Sequence, residues 1–219
     1  GRTCPAGDLD FYLNGHLNAL TSANKGSLIG LGTAPEGVEN NEVVYEIIAA
    51  SAWSTSHKDI REWLKDYTIS RYGKCPESLV RFWDGMLESD YGMCTSRAQY
   101  RVQKMPFDGL GGRYSTSPAH FRAIEAFIEA SGELGGNREY LTDLALWAGV
   151  YAFGKADLLA EQINDAYLAG DRKTAAALEG RFFDMMRRAD KFFDMNPVTR
   201  LDRWIGFARD WGGTPEESD

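Results

Sequence analysis

Apolar residues recur at helical spacing along most of this chain. Leu9, Leu13, Leu17 and Leu20 share one face of a run from Leu9 to about Ala23, and Asp8 stands where a cap belongs. A second run, Glu42 to Trp53, puts Val44, Ile47, Ile48 and Ala52 on one face behind a cap at Asn40 or Asn41. Asp59 opens a third, through Trp63, Leu64, Tyr67 and Tyr72, which Gly73 closes. Pro76 marks the first turn of a fourth, with Leu79, Phe82, Trp83, Met86 and Leu87 as its stripe. Ser117-Pro118 starts a fifth, carrying Phe121, Ile124, Phe127 and Ile128 up to a break at Gly135-Gly136-Asn137. Two long runs follow, Arg138 to Ala169 with Gly149 and Gly154 as soft points, and Arg172 to Met195 with Leu178, Phe182, Phe183, Met186 and Phe193 inside. Thr199 is placed to cap a last run, Leu201 to Trp211. Long helices joined by short glycine turns predict a helical bundle.

Two stretches break this pattern. Tyr91 to Thr116 holds four Gly and a Pro with no sustained period and reads as a long loop. Ser27 to Gly37 reads differently: Leu28 to Leu31 is a continuous apolar run of the kind found in strands buried on both faces. It breaks at Gly32-Thr33-Ala34-Pro35, where Pro35 has no N–H for a ladder, and Glu36 follows at once. A carboxylate just past the C-terminal end of a buried strand is where a (β/α)8 barrel carries catalytic groups. The competing reading is a solvated loop Glu. No second strand of comparable strength follows, so the chain is expected to begin partway through a larger domain.

Composition narrows the function classes. A formal net charge of −8 argues against nucleic acid or an anionic membrane as partner. Six Trp and ten Tyr suit a core, and equally a site where sugar faces stack on aromatic rings. No apolar run approaches a transmembrane length, and no signal-peptide pattern is visible. Cys4, Cys75 and Cys94 fit neither a disulfide framework nor a zinc site. They read as free or buried thiols, with a Cys75–Cys94 pair as the alternative in an oxidising compartment.

Candidate chemistry is sparse. His16, His57 and His120 have no His or Cys at metal spacing, so no metal or other cofactor is expected. His120 reads as a surface or satisfied residue. Gly109-Leu110-Gly111-Gly112 lacks the Lys-Ser/Thr of a phosphate loop, and no serine sits in a nucleophile elbow. Glu39, Glu42 and Glu46 approach or enter a helix N-terminus, which favours acids there. Glu36 has no such structural reason.

The block Leu31-Gly32-Thr33-Ala34-Pro35-Glu36-Gly37-Val38-Glu39-Asn40-Asn41-Glu42-Val43-Val44-Tyr45 resembles the segment around the catalytic nucleophile of the alpha-N-acetylglucosaminidases, glycoside hydrolase family 89. Trp63-Leu64 with Ser70-Arg71-Tyr72-Gly73, the run His120 to Phe127, and Arg203-Trp204 with Ala208-Arg209-Asp210-Trp211-Gly212 resemble its helical C-terminal domain. The chain departs from the family after Asp143-Leu144, where Ala145-Leu146-Trp147 replaces the usual Thr-Arg-Gln.

The resemblance implies a mostly α fold: residues 1–57 as the last α/β unit of a (β/α)8 barrel, and 58–219 as an incomplete all-α C-terminal domain. It places Gly1-Arg2 in the turn after the seventh barrel strand. It implies that Glu36 is the nucleophile of a retaining exo-glycosidase for terminal alpha-linked N-acetylglucosamine, with the acid/base Glu outside this chain. The lysosomal member of the family acts on heparan sulfate, so a secreted, periplasmic or lysosomal setting is implied. A glycan is the expected partner, without nucleic acid or membrane; substrate-contacting residues and oligomeric state stay unassigned. The alternative is a stand-alone helical binding or scaffolding module, in which Glu36 is structural.

Overall fold

A computed structural model describes residues 6–33, 42–92 and 117–214. Regular structure there is helical: α1 (Leu9–Thr21), α2 (Glu42–Ser51), α3 (Ile60–Tyr72), α4 (Glu77–Leu87), α5 (Pro118–Glu129), the single turn α6 (Ser131–Leu134), α7 (Arg138–Leu168), α8 (Arg172–Met195) and α9 (Leu201–Trp211). Side-chain caps set several starts by taking up N–H groups that the first turn leaves unpaired. Asp8 Oδ1 accepts from Phe11 N–H at 3.0 Å, Asp59 Oδ1 from Arg61 and Glu62, and Ser117 Oγ from His120. Asp171 does the same for Thr174, a bond that holds its carboxyl below the usual range. Gly73 ends α3 at φ 83°, a conformation that a Cβ would strain.

The chain divides into two compact units, residues 1–137 and 138–219. The core of the first is an aromatic layer between α3, α4 and α5. Phe82 lies 4.8 Å from Phe127 and 4.7 Å from Trp83, measured between ring centroids, and Tyr67 meets Trp83 edge-on at 5.9 Å. Such pairs are worth about 0.5–1.5 kcal/mol each beyond the area they bury. Trp83 Nε1 donates to Thr68 Oγ1 at 2.8 Å, and that hydroxyl donates to Leu64 O at 2.7 Å. In the second unit α7 packs along α8. Gly149 is more than a soft point: a Cβ there would come within 2.6 Å of the Phe193 ring, so its bareness admits that ring against α7. Asn196 Nδ2 donates back to Thr142 O at 3.1 Å.

Four expectations are corrected. Leu28–Leu31 is not a buried strand. The described residues contain no strand, only the isolated antiparallel bridge Asp8–Gly92, and Ile29 is 96% exposed. An extended run becomes a strand only where another pairs with its N–H and C=O groups; among the described residues none does. Thr199 does not cap α9, whose N-cap Arg200 makes no side-chain cap bond. Its hydroxyl donates instead to Phe193 O and Asn196 O, tying it to the end of α8. The fifth run breaks at Ala130, before its glycines, and continues as α6. Finally, Phe183 is 55% exposed, and Leu178, Phe182, Met186 and Phe193 are half-buried; Ala175 and Ala189 are the buried residues of α8.

Within the first unit, α1 is tied to the start of the α3 region by a reciprocal pair. Asn14 Nδ2 donates to Lys58 O, and Asn14 Oδ1 accepts from Lys58 N–H, each at 3.0 Å. Asn14 is buried, and its removal takes the partner from two main-chain groups of Lys58 in part-buried bonds. Asn14→Ala is expected to lower stability by about 2 kcal/mol, against under about 0.5 for the exposed Asn18→Ala. Urea unfolding followed by circular dichroism on both variants checks this; equal effects would show that the Asn14–Lys58 pair contributes nothing special.

Candidate active site

The approach to Glu36 is built from local turns. α1 ends at Thr21, whose hydroxyl donates to Leu17 O at 2.7 Å, and Ser22 is already extended. Lys25 N–H returns to Ser22 O at 3.2 Å, and Gly26 takes φ 56° to reverse the chain. From Leu28 to Thr33 the backbone belongs to no regular element. Thr33 is the last described residue before Glu36. Glu36, Glu39, Asn40 and Asn41 lie outside the described residues, and the chain resumes at Glu42 in the first turn of α2.

α1, α2 and residues 28–33 line an open pocket of about 580 Å³. Its walls are mainly apolar, from Phe11, Leu20, Leu28, Leu31, Val44 and Ile48, and Thr33 forms part of the rim. His16 stands in this wall with both ring nitrogens buried and without a hydrogen-bond partner among the described residues. An imidazole so placed can accept or donate one strong hydrogen bond to whatever polar group enters, because little water competes for it.

The other candidates are accounted for. His57 Nε2 lies 2.8 Å from Asn18 Oδ1 on the surface. His120 is satisfied, and buried rather than exposed: its Nδ1 lies 2.5 Å from Asp90 Oδ2, with side chains 0% and 2% accessible. No group of His, Cys, Asp or Glu suited to a metal occurs among the described residues. Cys75 is a free, half-buried thiol, and burial pushes its pKa up, which makes it a poor nucleophile. Cys4 and Cys94 lie outside the described residues. No described helix is long and apolar enough to cross a membrane. Sequence reasoning did not pick out Asp90 or Asn14. Their partners lie 30 and 44 residues away, and no local pattern signals such a pairing.

Comparison with known proteins gives one consistent answer. Residues 63–219 match the family model of the alpha-N-acetylglucosaminidase (NAGLU) C-terminal domain, and residues 1–55 that of the NAGLU tim-barrel domain. The human alpha-N-acetylglucosaminidase is 31% identical over 87 residues, which span 39% of this chain and 12% of that protein. A family 89 glycoside hydrolase from Clostridium perfringens, solved in complex with PUGNAc, superposes with a TM-score of 0.85 at 21% identity, covering 98% of this chain and 26% of that one. A Clostridium perfringens variant with two glutamates changed to glutamine, solved with its substrate GlcNAc-alpha-1,4-galactose, gives 0.83 at 23% identity, covering 95% and 25%. This chain thus spans about a quarter of its structural relatives, and at these identities the superpositions establish the fold. The C-terminal-domain match alone runs through well over half of the residues, and the chain belongs to the alpha-N-acetylglucosaminidase family, glycoside hydrolase family 89.

Proposed function

We propose that this chain is the C-terminal part of a retaining exo-alpha-N-acetylglucosaminidase. Residues 1–57 supply the end of its barrel, 58–219 supply most of a helical domain, and Glu36 is the nucleophile. The observation that carries the reading is the block Leu31–Tyr45, which lies within the match to the barrel domain and resembles the segment around the family's nucleophile. The substrate class is a glycan ending in alpha-linked N-acetylglucosamine. The Clostridium perfringens relative, whose substrate is GlcNAc-alpha-1,4-galactose, supports that class. A secreted, periplasmic or lysosomal setting accompanies the family and is part of the same proposal.

The chemistry assigns Glu36 one of two roles. Its carboxylate attacks the anomeric carbon as the bond to the aglycone oxygen breaks, and an acid elsewhere in the polypeptide protonates that oxygen. Water then attacks the glycosyl-enzyme ester, gives its proton to the same group acting as base, and frees Glu36. Retention requires the two carboxyl groups about 5–5.5 Å apart. Glycines at Gly32 and Gly37 flank the loop, where backbone N–H groups approach a carboxylate most easily. That the substrate-bound relative had two glutamates replaced supports the need for a pair.

Two outcomes are expected. The 219-residue polypeptide, holding one of the two carboxyl groups, should not hydrolyse a nitrophenyl alpha-N-acetylglucosaminide above background. Turnover abolished by Glu36→Gln would show that the acid/base lies within it after all. In the enzyme that contains this chain, Glu36→Ala should lower turnover by several orders of magnitude, since a nucleophile splits one hard step into two. Azide should restore part of the activity on the nitrophenyl substrate and yield the inverted beta-glycosyl azide, formed by one attack from the face that Glu36 occupied. Near-native activity of the alanine variant would remove Glu36 from the mechanism, and an alpha-azide product would make it the acid/base.

A further inference from the structure

The buried pair His120–Asp90 takes no part in the chemistry proposed for Glu36, yet it stands where three pieces of the first unit meet. Asp90 is gripped from two sides. Its carboxylate Oδ2 lies 2.5 Å from His120 Nδ1 near the start of α5. Its main-chain carbonyl accepts Gly7 N–H at 3.0 Å, the next carbonyl, of Tyr91, accepts Leu9 N–H at 3.2 Å, and Asp8 bridges to Gly92. The same turn is folded back onto α4, because Ser89 and Tyr91 N–H both return to Met86 O, at 3.1 and 2.8 Å. One residue thus joins the end of α4, the beginning of α5 and the entry to α1.

The two grips depend on each other. A carboxylate with 2% accessibility must be met by a donor, and the imidazole is that donor. Without it the turn gains by rotating Asp90 toward water, and the carbonyls of Asp90 and Tyr91 move with it. α1 does not need those carbonyls to be a helix. Its cap is its own Asp8, and Tyr12 N–H closes onto Asp8 O at 3.0 Å. Farther along, Asn14 holds Lys58 independently. The turn therefore governs where the entry to α1 is docked and leaves its helicity alone.

We propose that the His120–Asp90 pair is a latch that fixes the turn 90–92 and through it holds the entry of α1 against the α4–α5 pair. Opening the latch releases Gly7 to Leu9 while α1 stays folded. α1 leads through residues 22–33 to Glu36, so the latch couples the barrel-matching part of the chain to the helical part. His120 is in this sense a positioning residue. The inference rests on the geometry alone and stands whether or not Glu36 is a nucleophile.

Residue-resolved amide exchange on the 219-residue chain tests it. In His120→Phe the Gly7 and Leu9 amides should exchange about a hundredfold faster, as local opening without global unfolding does. The amides of Leu13, Lys58 and the α7–α8 unit should keep their rates. Unchanged rates at Gly7 and Leu9, or an equal acceleration everywhere, would overturn the latch. Should that variant not fold, Asp90→Asn of the same size should give the same local pattern in milder form, about tenfold. The unsubstituted protein provides a third reading. The His120 Nδ1–H proton should report the same opening free energy as the Gly7 and Leu9 amides once each rate is divided by that group's own intrinsic exchange rate, and clearly different values would show that the pair and the turn open separately.

Discussion

The aromatic layer of the first unit can be dry only because the polar groups inside it are paired. Trp83 brings an indole N–H into the layer, and Thr68 takes it and passes its own proton to Leu64 O. An unmet donor there would cost about 1–3 kcal/mol, more than a single aromatic contact returns. The same requirement recurs at the edges, where Asn14 answers both main-chain groups of Lys58 and His120 answers Asp90. At one place the requirement is not met. Among the described residues His16 has no partner for either nitrogen, and Leu28 and Leu31, which line the same pocket, are partly open to solvent. Both departures fall on one face, between α1, α2 and residues 28–33.

What the sequence made legible, and what it hid, follows from the range of each interaction. Asp8, Asp59, Ser117 and Gly73 act within four residues of themselves, and their residue types announce them. The stripes of α1, α3 and α4 are equally local, and most of their apolar positions are buried, with Leu20, Trp63 and Leu87 half-buried. The Leu28–Leu31 run was misread because a strand is defined by its neighbour, which a linear pattern cannot supply. Asp90–His120 and Asn14–Lys58 stayed invisible for the same reason. Thr199 is a subtler case. Its position suits a cap, but its hydroxyl turns back to two carbonyls at the end of α8. For Glu36 the sequence carries the assignment through the motif around it, while its geometry lies outside the described residues.

The second unit shows why a period reveals which face of a helix turns inward but not how deeply. α8 packs along α7 with Ala175 and Ala189 as its buried residues, and Phe193 lies over Gly149. Small residues at a crossing bring two helices close, which leaves the large side chains on either side of the seam rather than within it. Leu178, Phe182 and Met186 are accordingly half-buried, and Phe183 turns outward. The residues that depart from the family pattern, Ala145, Leu146 and Trp147, are buried in α7. An apolar trio thus stands at buried positions where the family has polar residues, whereas packing elsewhere tolerates exchange when volume and pattern are kept.

That tolerance bears on the weight given to each part of the likeness. Superposition over nearly the whole chain at 21–23% identity is what conserved packing with freely exchanged side chains produces. A helix can change most of its residues and keep its place in the fold. A carboxylate that must stand about 5–5.5 Å from a partner cannot move by the half-ångström or so that a repacked helix allows. The residues next to a carboxylate under that constraint are correspondingly intolerant of change. The block from Leu31 to Tyr45 is the kind of segment in which a match speaks to chemistry, and the helical matches speak to architecture. The assignment of Glu36 draws on the first, and the placement of the remaining chain on the second.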